Sequence, residues 1–136
     1  ITKQKNSTFH EEIFIQNNFD YSDLPFEAYH PFSAYFYLKD TYHFREEEVL
    51  SAIKNHTLGG KNLSLLDRIL YVSDFLGSDF ALRSMEYPDW MEKTESNLSY
   101  GIVLKASNTI LNLTKKLIPI HISTYYMYSE ALNSLS

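Results

Sequence analysis

The apolar residues of this chain return every three or four positions along most of its 136 residues, and that spacing selects helices over strands. Leu98, Ile102, Val103, Ala106, Ile110 and Leu113 form the longest stripe, predicting a helix from about Glu95 to Leu117 that Pro119 breaks. Ser64 reads as the N-cap of another, with Leu65, Leu66, Ile69, Leu70 and Val72 on one face and an end near Gly77. Phe9, Ile13 and Phe14 mark a short amphipathic helix over Phe9 to Asn17. Glu46, Glu47 and Glu48 suit the positive end of a helix dipole; that helix buries Val49, Leu50 and Ile53 and stops near His56 at Leu58-Gly59-Gly60. His30 stands as an N-cap before Pro31, whose fixed φ favours a first turn, and an aromatic helix follows to about Leu38. Pro88 marks a loop, and His121 to Leu135 makes the last helix. With no internal repeat, linker or low-complexity tract, the expectation is one all-α domain.

Composition narrows the partners. A hydrophobic content of 44%, with 15% aromatics, is ample for one core. The formal charge of −5 offers no basic stripe for duplex nucleic acid, so a phosphate-bearing ligand must be met by a few local cations or a metal. The absence of cysteine removes disulfides, thiolate metal sites and thiol nucleophiles. No long apolar run or leader pattern is present, and the simple expectation is a soluble, cytoplasmic protein with no membrane and no nucleic-acid partner. The sequence opens on Ile1 instead of Met, and the opening residues suggest neither a leader nor a helix start; the expectation is a chain that begins inside a longer protein.

His30, His56 and Asp74 are the candidate ligands, each at the edge of a predicted helix. Imidazole and carboxylate together suit iron, zinc or manganese, and a metal-held water is a common means of hydrolysing phosphate esters. Each has a plainer alternative. Asp74 borders an apolar stripe, where its carboxylate needs a cation or several donors, and a surface position or a salt bridge to Arg68 or Lys61 would also serve. His56 at a helix C-terminus would be well placed as an imidazolium. Asp67 is expected to be the capping-box partner of Ser64 more than a ligand. His10 and His43, among charged neighbours, read as surface residues, and His121 as a helix start.

The ordered combination of His30-Pro-Phe-Ser-Ala-Tyr35, Ala52-Ile-Lys-Asn-His-Thr-Leu-Gly-Gly60, Ser64-Leu-Leu-Asp-Arg-Ile-Leu-Tyr-Val-Ser-Asp74 and Lys115-Lys-Leu-Ile-Pro-Ile-His121 resembles the bacterial YqeK family. These are HD-domain proteins that hydrolyse diadenosine tetraphosphate symmetrically to two ADP. The resemblance implies an HD-domain-like helical bundle and a metal-dependent phosphohydrolase using a transition metal, iron by resemblance, as one or two ions. Ile1-Thr2-Lys3 looks like the remainder of a His-Asp-x-x-Lys motif, which would make residues 1–136 a single HD-type domain lacking its N-terminal part, with the first His and the His-Asp doublet upstream.

The same resemblance assigns the site. Asp74 would be a metal ligand; His30 and His56 would ligate a second metal or contact the ADP moiety; Lys3 would contact a phosphate and Thr57 would add a hydroxyl. The turn of Leu117, Ile118, Pro119, Ile120 and His121 would line the nucleotide pocket. Family members read Ile-Glu-Pro-x-Arg after the metal Asp, where this chain has Leu76-Gly77-Ser78-Asp79-Phe80, so Arg83 is the candidate replacement for that Arg. Dinucleoside polyphosphate or ADP is the expected ligand, with a homodimer left open. Two other classes stay open: a nucleotide-binding HD module without catalysis, and an HD region fused to a nicotinate-nucleotide adenylyltransferase.

Overall fold

A computed structural model describes residues 2–135 and, among them, eight α-helices, one 3₁₀ turn and no strand. The helices are α1 Ser7–Gln16, α2 Tyr29–Thr41, α3 Glu47–Asn55, α4 Leu65–Leu76, α5 Asp79–Leu82, α6 Tyr87–Ser96, α7 Leu98–Lys115 and α8 Ile122–Leu135, with the 3₁₀ turn Phe26–Ala28 leading into α2. The all-α expectation holds. Ile1 and with it the first position of the proposed His-Asp-x-x-Lys remnant lie outside the described residues. No helix among the described residues is long and apolar enough to cross a membrane.

Two packed bodies of side chains organise these helices. In the N-terminal half Phe14 is fully buried, with the rings of Phe19, Tyr21, Tyr29 and Phe36 around it at centroid separations of 5.2–6.5 Å. Offset and edge-to-face pairs of this kind tie α1 and the loop after it onto α2. The second body is built from α4, α6, α7 and α8 around Tyr71, Val72, Leu76, Trp90, Ile102, Met127 and Ala131. α3 joins the two, packing on α2 on one side and on α4 on the other.

Local chemistry sets several boundaries. Ser64 caps α4 with a full capping box, its side chain taking the Asp67 N–H while the Asp67 carboxylate takes the Ser64 N–H at 2.9 Å. Asp67 also accepts from Ser51 and Asn55 of α3, so one carboxylate both starts α4 and joins it to its neighbour. After α3 the chain turns at Gly59, with φ of +75°, and its N–H returns to the Asn55 carbonyl. A Cβ at Gly59 would stand 2.7 Å from the Met127 side chain of α8.

Some expected details differ. His30 is the second residue of α2, whose N-cap is Ala28, because the 3₁₀ turn runs directly into the helix. Pro88 sits in the first turn of α6 instead of in a loop, a position where its missing N–H costs nothing. Glu95 belongs to α6, and Asn97 caps α7. On α4 the buried face carries Asp67, Tyr71, Val72 and Leu76; of the expected stripe Val72 is buried, Leu66 and Leu70 are half-buried, and Leu65 and Ile69 are exposed, because the face packed against α3 and α7 is rotated from the one the apolar count favours. His10 is buried: its ring bonds Ser33 Oγ at 2.7 Å and the Lys5 carbonyl at 3.2 Å, and burial holds its pKa below the usual value.

Burial pushes the Asp67 carboxyl up, but bonds from Ser64, Asn55 and Ser51 outweigh it and hold the group below the ordinary range. Its contribution is therefore fully present above the unfolded value near 3.8 and is lost as pH falls through the lower folded value. Asp67→Ala is expected to cost roughly 2–4 kcal/mol, the sum of a lost cap and of charged hydrogen bonds. Denaturant unfolding at pH 7 checks the size; the loss should shrink in acid, where the wild type also forfeits the charge.

Candidate functional site

The site lies where the start of α2, the end of α3, the last turn of α4 and the middle of α7 meet. The His30 carbonyl accepts from Thr2 Oγ1 at 2.8 Å and from Ser33 Oγ at 3.2 Å, which fixes the opening turn of α2 under its imidazole. His56 follows α3 as its C-cap and bonds the Ile53 carbonyl through Nδ1 at 2.6 Å. A carbonyl only accepts, so Nδ1 of His56 carries the proton and, in the neutral ring, Nε2 carries the lone pair. The two Nε2 atoms face one another at 3.0 Å.

Electrostatics keep both rings uncharged. His30 is pulled down to about 4 by burial first, then by His56 and Lys3. His56 is lowered by burial, which outweighs the bond to Ile53 and the pull of Asp74. The imidazolium expected at this helix end is thus replaced by a neutral, ligand-competent ring. A bare lone pair on His56 Nε2 requires either an N–H from His30 or a cation between the two nitrogens. A separation of 3.0 Å also suits two nitrogens that bind one ion at about 2.0–2.1 Å. The pair therefore fits a metal as two of its ligands, though among the described residues no group of three or more ligand-type side chains gathers round one point.

Asp74 is in the same field but differently engaged. Its Oδ2 accepts from Lys105 Nζ at 2.9 Å, so its counter-ion comes from α7 and not from Arg68 or Lys61. Burial raises the Asp74 carboxyl, and the adjoining ammonium more than reverses this. Lys105 is buried, its Nζ also donating to the His56 carbonyl at 2.6 Å and the Tyr71 carbonyl at 2.8 Å, and standing 4.2 Å from the Tyr71 ring centre. Lys3 is exposed, yet its charge is felt by His30, His56, Asp74 and Lys105. Lys105 is the residue that sequence reasoning missed. The available signal was a lysine three positions after Ile102 and one before Ala106, inside the stripe that α7 buries.

The remaining candidates lie around this cluster. Thr57 follows His56 and is partly buried. The Leu117 to His121 turn joins α7 to α8, with Leu117 at φ of +57° and largely exposed, and His121 bonds Asp23 at 3.2 Å. Thr124, at the start of α8, donates to the Leu58 carbonyl at 3.0 Å, linking that end of α8 to the segment after His56. Arg83 is an exposed residue at the C-terminus of α5.

Both rings have folded pKa values below the unfolded 6.5, so their neutral form contributes stability that is complete above that value and is lost as pH falls. Nitrogen-15 spectra of the metal-free chain should show the neutral His56 ring protonated on Nδ1, His56 titrating below its ordinary value, and His30 titrating only at about 4. A His30 transition at an ordinary value would contradict this burial.

No family model matches the chain. It is 32% identical to a Halalkalibacterium halodurans protein named symmetrical bis(5'-nucleosyl)-tetraphosphatase, over 90% of this chain and 63% of that one. Proteins of the same name from Bacillus subtilis and Staphylococcus aureus are 27% and 26% identical, over 62% and 68% of this chain. The chain spans 63%, 45% and 50% of the length of these three relatives. A crystal structure described as a predicted HD superfamily hydrolase involved in NAD metabolism, from Clostridium acetobutylicum, superposes with a TM-score of 0.81 at 21% identity, over 97% of this chain and 70% of that one. The chain shares the helical fold of that structure, and its sequence is similar to proteins named symmetrical bis(5'-nucleosyl)-tetraphosphatase, of whose length it spans less than two thirds.

Proposed function

We propose that the protein is a metal-dependent phosphohydrolase of the cytoplasm that cleaves diadenosine tetraphosphate, or a related dinucleoside polyphosphate, symmetrically to ADP. The observation that carries this reading is the pair of neutral imidazoles with Nε2 atoms 3.0 Å apart, set beside Asp74 and two lysines in a chain whose relatives bear that name. His30 and His56 would hold the metal as a pair and Asp74 beside them would contribute through its second oxygen, the remaining ligands coming from outside the described residues, with iron as the assignment from family resemblance. Such an ion, when bound, supplies Lewis acidity and a water of lowered pKa.

The protein's own groups account for the rest. Lys3, exposed at the rim, meets the phosphate chain and offsets charge that grows on its oxygens. Thr57 offers a hydroxyl donor beside His56, and the Leu117 to His121 turn presents backbone groups to the nucleoside. Arg83 takes the place of the family's phosphate-binding Arg. ADP is a good leaving group, so the site needs no strong general acid. A nucleotide-binding module without catalysis is the second reading, favoured by the commitment of Asp74 Oδ2 to Lys105.

Three measurements test the proposal on the full-length protein. Incubation with diadenosine tetraphosphate should yield ADP alone; ATP with AMP would refute the symmetrical cut, and binding of ADP without turnover would favour the second reading. His56→Gln should lower turnover by about 100-fold or more while costing at most about 1–2 kcal/mol of stability. Metal content of Asp74→Ala should fall, and unchanged content would remove Asp74 from the ligand set.

A further inference from the structure

Lys105 has three N–H donors and three acceptors at 2.6–2.9 Å: the His56 carbonyl, the Tyr71 carbonyl and Asp74 Oδ2. No donor is left over, and the ammonium cannot turn without giving up a bond. Two of the three acceptors belong to residues of the candidate site. An ammonium taken out of water into the face of α7 that also holds Ile102 and Ala106 is costly, and an apolar side chain there would pack as readily. What an apolar residue could not do is hold residues 56, 71 and 74 at fixed distances from one another.

We propose that Lys105 is a positioning residue of the site, clamping His56 and Asp74 from α7 so that the His56 ring faces His30. This rests on the function proposed above. His56 is then held at two points, its carbonyl by Lys105 and its Nδ1 by the Ile53 carbonyl, which leaves its Nε2 one direction. Asp74 keeps a single oxygen for other partners, the second being taken by the ammonium. Groups that orient a reacting constellation from behind in this way typically cost about 10- to 100-fold in activity when removed.

These 136 residues hold no cysteine, so with any cysteine outside them replaced by serine a lysine analogue can be installed at this position alone. Lys105→Cys in the full-length protein, alkylated in denaturant to the aminoethyl form and refolded, restores an ammonium of nearly the same reach. Lys105→Cys and Lys105→Gln should stay helical by circular dichroism, shift the His56 ring signals, and lose about 10- to 100-fold in kcat with little change in KM. Aminoethylation should return both the signals and kcat. Unshifted His56 signals with kcat per folded molecule retained in either variant would overturn the proposal, as would an aminoethyl form that regains melting temperature without the ring signals. Lack of hydrolysis by the unsubstituted protein would count against the proposed function alone, because the ring signals report on Lys105 without turnover.

Discussion

A charged amine enclosed by protein is the constraint to which the rest of this molecule conforms. Lys105 Nζ lies among backbone and carboxylate oxygens contributed by two other segments, the end of α3 and the last turns of α4. Its desolvation is offset only if all three oxygens arrive together, so α3, α4 and α7 must dock as a unit. The face of α4 that turns inward follows from this. Tyr71 and Asp74 go toward α7, and Leu65 and Ile69 are left outside.

The N-terminal half answers a different requirement, that of delivering one imidazole. Its aromatic body around Phe14 has few charges, and the buried His10 bonds Ser33, whose hydroxyl in turn reaches the His30 carbonyl. Packing in α1 and α2 thereby reaches the first turn that bears His30. Asp67 performs the matching task on the other side, joining α4 to α3 one turn before His56. The site thus stands on a seam between two cores, each of which fixes one ring.

What could be read from the sequence was mostly what is decided locally. The Ser64 and Asp67 cap, the Gly59 stop and the helical spacing of α7 depend on neighbours within a few residues, and the order of motifs carried the resemblance to known proteins. Where a choice was tertiary, the pattern was silent. The apolar count on α4 put Leu65 and Ile69 on the inner face, whereas packing with α3 and α7 takes in Asp67 and Tyr71. Glu11 and Glu12 made His10 look exposed, while its ring turns inward on the helix. Pro88 serves a helix start as well as a loop, and Lys105 was passed over because its three acceptors come from residues 31 to 49 positions away.

The turn at Gly59 has a mechanical consequence. With Met127 pressed against a residue that has no side chain, and Thr124 bonded to the Leu58 carbonyl, α8 rests directly on the chain three residues beyond His56. There is no compliant layer between them. A displacement of the last helix would therefore bear directly on the segment that follows His56.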